Sequence, residues 1–308
     1  MTKPLHIETP LFQSRALSIV AGRTIWLKLE ALQPPGSFKI RGIGLACQEY
    51  VRRGAQRLIS SSGGNAGIAV AYAGRHLGVP VVVVVPQTTT EQAKALIRQE
   101  GAEVVVHGPT WHEANALALS MVGASDAFLH PFDDPLIWQG HASLVDEIVR
   151  AGVTPDAIVL SVGGGGLLSG VIEGLHRNQW ADVPVIAVET AGADALAQSL
   201  AAGSRVRLAA ITSVATSLAA PQVCEQAFHW TSKHPIRSVV VSDQAAVSAS
   251  LKFLADHRIV VEPACGASLA VVYDSAAELA EFESVLVVVC GGAGTGVARL
   301  QELSNART

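Results

Sequence analysis

Short apolar runs rich in β-branched residues alternate along the chain with longer segments rich in alanine and leucine. A run of this kind, bounded by turn residues, favours a buried strand over a helix. The runs that predict strands lie at residues 24–30, 57–62, 79–86, 102–108, 156–162, 183–190 and 284–290. The segments that predict helices lie at residues 68–78, 90–101, 111–122, 141–152 and directly after residue 166. Two of these segments, at 68–78 and 90–101, end at a glycine, which is a common stop signal for a helix.

This alternation predicts an α/β protein whose parallel-type open twisted sheets are flanked by helices. The strands fall into two groups, at residues 57–107 and 156–290, which indicates two sheets and two domains. The sequence HPFDDP at 130–135, rich in proline and aspartate, marks the expected boundary. We expect the early strand at 24–30 to join the second group.

Composition and charge exclude several classes of function. Of the 308 residues, 49% are apolar and 16% are charged, below the usual charged share of about 25%. The net charge of −4, without a basic cluster, does not suggest nucleic acid as a partner. No apolar run approaches the roughly 20 residues of a membrane-spanning helix, and the N-terminal segment lacks the apolar core of a signal peptide. The four cysteines form no CxxC pair, so we expect reduced thiols in a cytoplasmic protein.

Four of the predicted strands have a glycine-rich sequence or an acidic residue at their carboxyl end. In an open parallel sheet, ligands bind at the carboxyl ends of the strands. The four places are SSSGGNAG at 60–67, GGGG at 163–166, Glu189 and CGGAGTG at 290–296. They are therefore the first candidates for a functional site.

The run of four glycines opens a predicted helix. Glycines let backbone N–H groups converge on a ligand, and the N-terminus of a helix attracts anions. A tight turn is the alternative interpretation, but a turn does not need four consecutive glycines. The run lacks the GK[ST] of a nucleotide P-loop, and Leu168 and Ser169 stand where GxGxxG would place its last glycine. It therefore predicts a site for a monophosphate group.

The loop SSSGGNAG and Cys290 each allow two interpretations. The loop offers hydroxyls, backbone amides and one carboxamide that could bind a carboxylate or a ring oxygen, or it could be a simple turn with a helix N-cap. Cys290, at a strand end before glycines, could be a nucleophile or a buried core thiol.

Lys39 lies in the sequence LQPPGSFKIRG, among small and apolar residues rather than among charges. It could be a solvated surface lysine that forms a small basic patch with Arg41. A monophosphate site, a loop for a carboxylate and an isolated lysine together suggest pyridoxal phosphate, whose aldehyde forms a Schiff base with a lysine. The neighbouring Phe38 could then help to position the cofactor ring.

The chain resembles the fold-type II pyridoxal-phosphate enzymes, which have the tryptophan synthase β-like fold, and among them the serine dehydratase-like branch of the serine/threonine dehydratases. The resemblance covers nearly the whole chain. It rests on eight blocks in the same order, ETPLFQSRALS (8–18), LKLEALQPPGSFKIRG (27–42), SSSGGNAGIAVAYAGRHLG (60–78), FDDPLIWQGHASLVDEI (132–148), SVGGGGLLSG (161–170), ITSVATSLA (211–219), VEPACGASLAVVY (261–273) and VVVCGGAG (287–294). It implies a large cofactor-binding domain, residues 1–40 plus 136–308, and a small substrate-loop domain, residues 41–135.

The resemblance also implies roles at matching positions. Lys39 would be the catalytic Schiff-base lysine, Phe38 would pack on one face of the ring, and Cys290 would face the pyridine nitrogen. Asn65 would hydrogen-bond the ring hydroxyl oxygen. The phosphate would be bound by Gly163, Gly164, Gly165, Gly166 and Leu167, and the substrate carboxylate by Ser62, Gly63, Gly64, Asn65 and Ala66.

Family members also carry a monovalent cation such as K⁺, and they commonly form homodimers. Glu189, Ala193 and Leu218 stand at the matching cation positions. Two departures concern the site itself. The chain reads GGAGT after Cys290, where close relatives often read GGSN, and Ser217 stands where other serine dehydratases carry alanine.

The activity implied is β-elimination of L-serine or L-threonine, or of both, to pyruvate or 2-oxobutyrate plus ammonia. Within the same class, β-replacement as in cysteine or threonine synthases and amino-acid racemisation are the alternatives, and Gly63 disfavours a racemase because those enzymes usually carry a serine there. An NAD-dependent oxidoreductase is favoured only by Glu189 after a strand and lacks the third glycine. A non-catalytic amino-acid-binding protein would not need Lys39.

Overall fold

The computed structural model describes residues 3–306, so the outermost residues of the expected large domain, 1–2 and 307–308, lie outside the described residues. Ten strands lie in this part of the chain: Leu11–Gln13 (β1), Thr24–Lys28 (β2), Arg57–Ser60 (β3), Val81–Val85 (β4), Glu103–Val106 (β5), Asp126–Leu129 (β6), Ala157–Ser161 (β7), Val185–Thr190 (β8), Ile236–Val241 (β9) and Ser284–Val288 (β10). The α-helices are Arg15–Ala21 (α1), Lys39–Arg52 (α2), Asn65–Leu77 (α3), Glu91–Gln99 (α4), Trp111–Ser120 (α5), Pro135–Arg150 (α6), Gly166–Arg177 (α7), Ala195–Ala202 (α8), Glu225–Trp230 (α9), Asp243–His257 (α10), Pro263–Tyr273 (α11) and Val297–Asn305 (α12).

The strands form two sheets. The larger has the order β1-β2-β10-β7-β8-β9 and is parallel except for β1, which runs antiparallel to β2. The smaller has the order β5-β4-β3-β6 and is parallel throughout. The predicted fold class is therefore confirmed, and the early strand β2 does join the later group, beside β10. The domain boundaries at residues 40 and 136 stay a prediction.

Three strands lie outside the predicted runs, and each is at the edge of its sheet. β1 has only three residues, β6 has four and begins with an aspartate, and β9 is only partly buried. An edge strand is open to solvent on one side, so its hydrophobic signal is weak. Helix α6 also begins before the predicted residue 141, because the side chain of Asp134 accepts a hydrogen bond from the Leu136 amide at 2.8 Å and caps the helix.

The central strands are buried on both faces, as the continuous apolar runs predict. β4 and β7 are buried along their whole length, which is typical of parallel sheets covered by helices on both sides. Each sheet has its own hydrophobic core. Helix α2 packs against α3 of the smaller sheet and against α6, which in turn packs against α7 of the larger sheet. The start of α2 therefore lies where the two layers of helices meet.

A buried ionic cluster fixes this start of α2. The fully buried guanidinium of Arg41 donates to both carboxylate oxygens of Glu30, at 2.6 and 2.8 Å, and to both of Glu147, at 2.7 Å. The ammonium of Lys28 bonds the same Glu147 and donates to the Thr9 carbonyl at 2.7 Å. Bidentate pairs fix direction as well as distance, so the cluster joins α2 firmly to the segment after β2 and to α6.

The structure bears on two sequence-based expectations, the lack of a membrane-spanning helix and the reduced state of the cysteines. Within residues 3–306, no helix has both the length and the apolar character needed to span a bilayer. All four cysteines are buried and free. The cytoplasmic location stays a prediction.

Candidate active site

Lys39 is the first residue of α2 and lies beside the segment that follows β10. The Phe38 amide donates to the Cys290 carbonyl at 3.1 Å, and the Gly292 amide donates to the Gly36 carbonyl at 2.9 Å. Gly36 has a φ of +80°, a conformation that glycine adopts without strain. Residues far apart in the sequence therefore hold the lysine loop against the end of the larger sheet.

The amine of Lys39 is held inside the site. It donates to the Pro131 carbonyl at 2.7 Å and lies 5.1 Å from the centre of the Phe38 ring. Burial lowers the pKa of Lys39 to about 8, although the nearby acidic groups of Cys290 and Glu262 oppose the shift. A larger fraction of this amine is unprotonated near neutral pH than for a surface lysine, whose pKa is about 10.4. An amine of this kind can attack a carbonyl carbon or accept a proton, which disfavours the interpretation as a surface lysine.

The ring of Phe38 packs against the ring of His141, a residue of α6. The two ring centres are 4.9 Å apart. His141 is fully buried, and within the described residues its ring nitrogens have no hydrogen-bond partner. Burial lowers the pKa of His141 well below its ordinary value, so this ring is a neutral support. Sequence reasoning missed His141, because a single histidine in a helix carries no signal of what it packs against.

The four glycines lie between β7 and α7, and each is tightly surrounded. A Cβ atom at Gly164 would lie 2.4 Å from the Phe132 ring, and one at Gly166 would lie 2.7 Å from the Phe132 carbonyl oxygen. At Gly163 it would lie 3.0 Å from the backbone of Leu218. Gly165 has a φ of +87°, where glycine is favoured.

The loop therefore needs glycine, and it leads directly into a helix. Gly166 and Leu167 form the first turn of α7, where backbone N–H groups have no partner within the helix. A bare backbone cradle at a helix N-terminus can bind a phosphate group. This arrangement agrees with the predicted monophosphate site.

Asn65 is the first residue of α3 and reaches across to the other sheet. Its amide nitrogen Nδ2 donates to Glu262 Oε1 at 2.8 Å, and its Oδ1 accepts from the Ala293 amide at 3.0 Å. Ser62 and Gly64 precede it in the loop, where the Gly64 amide bonds the Ser62 hydroxyl at 3.4 Å. The loop predicted for a carboxylate and the segment after Cys290 thus lie together.

Gly63 and Ala66 complete the loop predicted to bind the substrate. Ala66 is buried in the first turn of α3. A Cβ atom at Gly63 would lie 2.6 Å from Oγ1 and 2.7 Å from Cγ2 of Thr89, which follows β4. Thr89 is a second residue that sequence reasoning missed, because nothing in the sequence joins the two loops.

Glu262 is a third missed residue, although it stands in one of the eight blocks. It is the N-cap residue of α11 and is buried. Burial raises the pKa of Glu262 to about 7, and hydrogen bonds from Ser217 and Asn65 and the charge of Lys39 act in the opposite direction. A carboxyl group therefore bonds the asparagine and lies close enough to the lysine to feel its charge.

Cys290 is buried at the end of the last strand of the larger sheet. A hydrogen bond with the Cys265 thiol, followed by burial, raises the pKa of Cys290 well above its ordinary value. A thiol that stays protonated is a poor nucleophile. The environment therefore favours a neutral hydrogen-bonding group over a nucleophile.

The three residues predicted for a cation lie at the end of β8 and beside the glycine loop. Glu189 is fully buried, and its two oxygens accept from the amides of Leu196 and Ala197 at 2.8 Å. The Ala193 amide donates to the Thr190 carbonyl at 2.9 Å, and the Leu218 backbone contacts Gly163. In the part of the chain that the structure describes, no cluster of three or more His, Cys, Asp or Glu side chains is arranged to hold a metal ion.

Comparison with known proteins gives consistent matches over nearly the whole chain. A family model for pyridoxal-phosphate dependent enzymes matches residues 2–291. The chain is 48% identical to the L-serine dehydratase/L-threonine deaminase of Bos taurus and 47% identical to that of Homo sapiens, in each case over 98% of this chain and 95% of the relative. Among solved structures, an L-serine ammonia-lyase from Rhizomucor miehei matches with a TM-score of 0.95 and 36% identity, over 99% of this chain and 100% of that one.

Proposed function

Because the chain belongs to the family of pyridoxal-phosphate dependent enzymes, we propose that it is an ammonia-lyase that acts on L-serine, L-threonine or both. The products are pyruvate from serine, 2-oxobutyrate from threonine, and one ammonia in each case. The names of the relatives in cattle and humans and of the fungal structure support this reaction class.

The observation that carries the proposal is the position of the Lys39 amine. It lies between the Pro131 carbonyl and the Phe38 ring, and burial lowers its pKa to about 8. A base whose pKa is near the working pH is suited to removing a proton from carbon. In the proposed reaction, Lys39 Nζ takes the proton from the substrate α carbon, and the β-hydroxyl group leaves as water after gaining a proton.

The residues of the site fit pyridoxal phosphate. The cradle at Gly163–Gly166, with Leu167, would hold the phosphate through its backbone N–H groups, since Cβ atoms there would collide with Phe132, Leu218 and Ala227 and displace the loop. Phe38 would cover one face of the ring, the Asn65 amide would donate to the ring oxygen, and the Cys290 thiol would lie at the ring nitrogen. When bound, the cofactor supplies an aldehyde that captures amines and a ring that withdraws electrons from the α carbon. The backbone of the loop from Ser62 to Ala66 would hold the substrate carboxylate.

The reaction is tested by incubating the purified protein and pyridoxal phosphate with each amino acid. We expect keto acid and ammonia to appear in equal amounts from L-serine, L-threonine or both. Sulfide incorporation into O-acetylserine without keto-acid release would indicate a β-replacement synthase instead. Formation of D-serine without ammonia would indicate a racemase.

Substitution of Gly164 by alanine is expected to weaken cofactor binding. The added Cβ would lie 2.4 Å from the Phe132 ring and should displace the cradle. If the displacement costs about 1–3 kcal/mol of binding, Kd rises about 5- to 140-fold. Equilibrium dialysis with pyridoxal phosphate measures the change. Gly296→Ala is the matched control, because a Cβ there would have no heavy atom within 4 Å. Equal affinities of the two variants would contradict the proposed phosphate cradle.

Substitution of Gly63 by alanine is expected to lower kcat/KM for serine and threonine by a common factor. From the sequence alone, the missing side chain would leave room near the substrate and affect mainly threonine. In the structure, the added Cβ points at Thr89, so it should displace the loop for both substrates, by about 1–3 kcal/mol. The double variant Gly63→Ala/Thr89→Ala should recover much of the loss. A changed ratio of the two kcat/KM values would show that the methyl group contacts the substrate after all.

A monovalent cation such as K⁺ is a further part of the proposal. It would lie at Glu189 with backbone oxygens of Ala193 and Leu218. Burial raises the pKa of Glu189 to about 7, and a cation nearby would stabilise its ionised form. Replacing K⁺ by a bulky organic cation in the buffer should lower both the melting temperature and the activity if the site is used. An unchanged melting temperature would argue against it.

We also propose that the protein is a cytoplasmic homodimer with a free amino acid as its partner. The proposal of a homodimer rests on the resemblance to enzymes that commonly form dimers. The proposal of a cytoplasmic location rests on the free, buried thiols. Light scattering coupled to gel filtration tests the assembly directly. A mass of one chain at micromolar concentration would overturn it.

A further inference from the structure

Glu262 has no role in the proposed reaction, yet its carboxyl group is among the most closely engaged groups of the site. Two side chains from elements that are distant in sequence bond it. Asn65 of α3 donates to its Oε1, and the hydroxyl of Ser217, in the 3₁₀ turn Thr216–Leu218, bonds the same carboxyl group. Lys39 and Cys290 are the titratable groups that face it.

The backbone after β10 also lies close to this carboxyl group. Gly292 has a φ of +132°, and a Cβ atom there would lie 2.2 Å from Cδ and 2.3 Å from Oε2 of Glu262. The second glycine of the CGGAG sequence is therefore required by Glu262. The chain passes so close to the carboxyl group that a side chain at position 292 would displace Glu262 from its place beside Asn65.

The oxygen and the nitrogen of the Asn65 carboxamide therefore have different partners. Oδ1 accepts from the Ala293 amide at 3.0 Å, and Nδ2 donates one hydrogen to Glu262 at 2.8 Å. The other Nδ2 hydrogen has only a longer contact, 3.3 Å, with the Ser217 hydroxyl. Ser217 is an exposed residue, so this second hydrogen bonds a group that solvent can reach. A backbone donor at one end and a carboxyl acceptor at the other do not permit the flipped amide.

We propose that Glu262 is a positioning residue for Asn65: it binds one amide hydrogen and so directs the other toward the place where the ring oxygen of the cofactor binds. Ser217 is the exchangeable partner of that second hydrogen. Its hydroxyl gives up the longer contact when the ring oxygen arrives and keeps its bond to Glu262. Ser217→Ala should therefore change the affinity for pyridoxal phosphate by less than about threefold.

The inference rests on the proposed position of the cofactor, and it is tested without substrate. Apoprotein is titrated with pyridoxal phosphate in wild type, Asn65→Ala, Glu262→Leu and the double variant. Loss of one hydrogen bond to a charged group is worth about 1.5–3 kcal/mol, so each single change should raise Kd by about tenfold or more. The double variant should bind no more weakly than Asn65→Ala, and the visible spectrum of cofactor bound to Glu262→Leu should match that of Asn65→Ala.

Two further variants serve as controls. Glu262→Gln keeps an accepting oxygen and should stay within about threefold of wild type in Kd. Glu173→Leu removes another partly buried glutamate, on α7, whose pKa is likewise raised by burial, and it should leave Kd unchanged. Multiplicative losses in the double variant, or a normal Kd for Glu262→Leu, would overturn the proposal and leave the proposed elimination reaction standing.

If Glu262→Leu does not fold, a swapped pair decides the question. Asn65→Asp places two carboxyl groups together and should lower the melting temperature of the apoprotein. Adding Glu262→Gln supplies an amide donor and should restore the melting temperature, while cofactor affinity stays low because no donor faces the ring oxygen. Failure of the second change to restore the melting temperature would show that the two side chains are not coupled.

Discussion

Replacement of Lys39 by alanine is expected to lower the rate of keto-acid release by a factor of about 10²–10⁴ or more, while the fold stays intact. In the proposed mechanism one amine both captures the cofactor and takes the proton. Lys39, which would supply it, is the first residue of α2 and lies beside Cys290 and Pro131. Its side chain is not part of the ionic cluster that fixes the helix. The fold should therefore survive, and circular dichroism and the melting temperature of the apoprotein should be close to those of wild type.

The matched control is Lys252→Ala. Lys252 lies on α10 with about half of its side chain exposed, and its loss should leave turnover unchanged. Stopped assays of keto acid from L-serine and L-threonine, at saturating cofactor, compare the two variants. Near-normal turnover of Lys39→Ala without an added amine would remove Lys39 from the chemistry.

Replacement of Arg41 by methionine is expected to lower the free energy of unfolding by about 3–5 kcal/mol. Arg41 is fully buried and bonds both carboxylates, Glu30 and Glu147. Without it, two buried carboxylates keep only Lys28 as a positive partner, and removal of one partner from a buried ion pair leaves a charge without compensation. Urea denaturation of the apoprotein measures the loss.

The loss should depend on pH in a defined direction. Burial alone would raise the pKa of Glu147, but the hydrogen bonds and charges of Arg41 and Lys28 outweigh it, and the pKa is lowered. A carboxyl group with a lowered pKa contributes stability above its unfolded pKa of about 4.3, and the contribution is lost as the pH falls through the folded value. The difference between wild type and Arg41→Met should therefore be largest near neutral pH and should shrink in acid.

Arg52→Met provides the comparison on the same helix. The Arg52 side chain is 71% exposed and pairs only with Glu49, and exposed pairs of this kind contribute little. Its unfolding curve should nearly coincide with that of wild type. If both variants lost the same free energy of unfolding, the buried cluster at Arg41 would contribute no more to stability than an exposed ion pair.

The strands that could be predicted are those whose apolar run is unbroken. β4, the sequence VVVVV, is buried on both faces and is visible at once. β9, the sequence IRSVVV, is an edge strand with polar residues in its first half, and β1 has only three residues. For such strands, pairing with a neighbour rather than local preference decides the structure.

The site shows the same difference between local and distant causes. The glycine run is visible in the sequence because its four residues are adjacent. Lys39 is visible because its neighbours, such as Gly36 and Phe38, are small or apolar. The contact of Asn65 with Glu262 joins residues 197 positions apart, and the clash that keeps Gly63 a glycine comes from Thr89. No periodicity relates such partners, so only the folded chain reveals them.

The pairing of the lysine loop with the segment after β10 also has a consequence for biosynthesis. β2 leads to Lys39, but its parallel neighbour β10 and the Gly36–Gly292 contact depend on residues translated about 250 positions later. At about 5–20 residues per second, the ribosome exposes the lysine roughly ten seconds to a minute before its support exists. A nascent chain therefore carries the Lys39 amine in an unfinished loop, and this loop reaches its final position only after Gly292 has been synthesised.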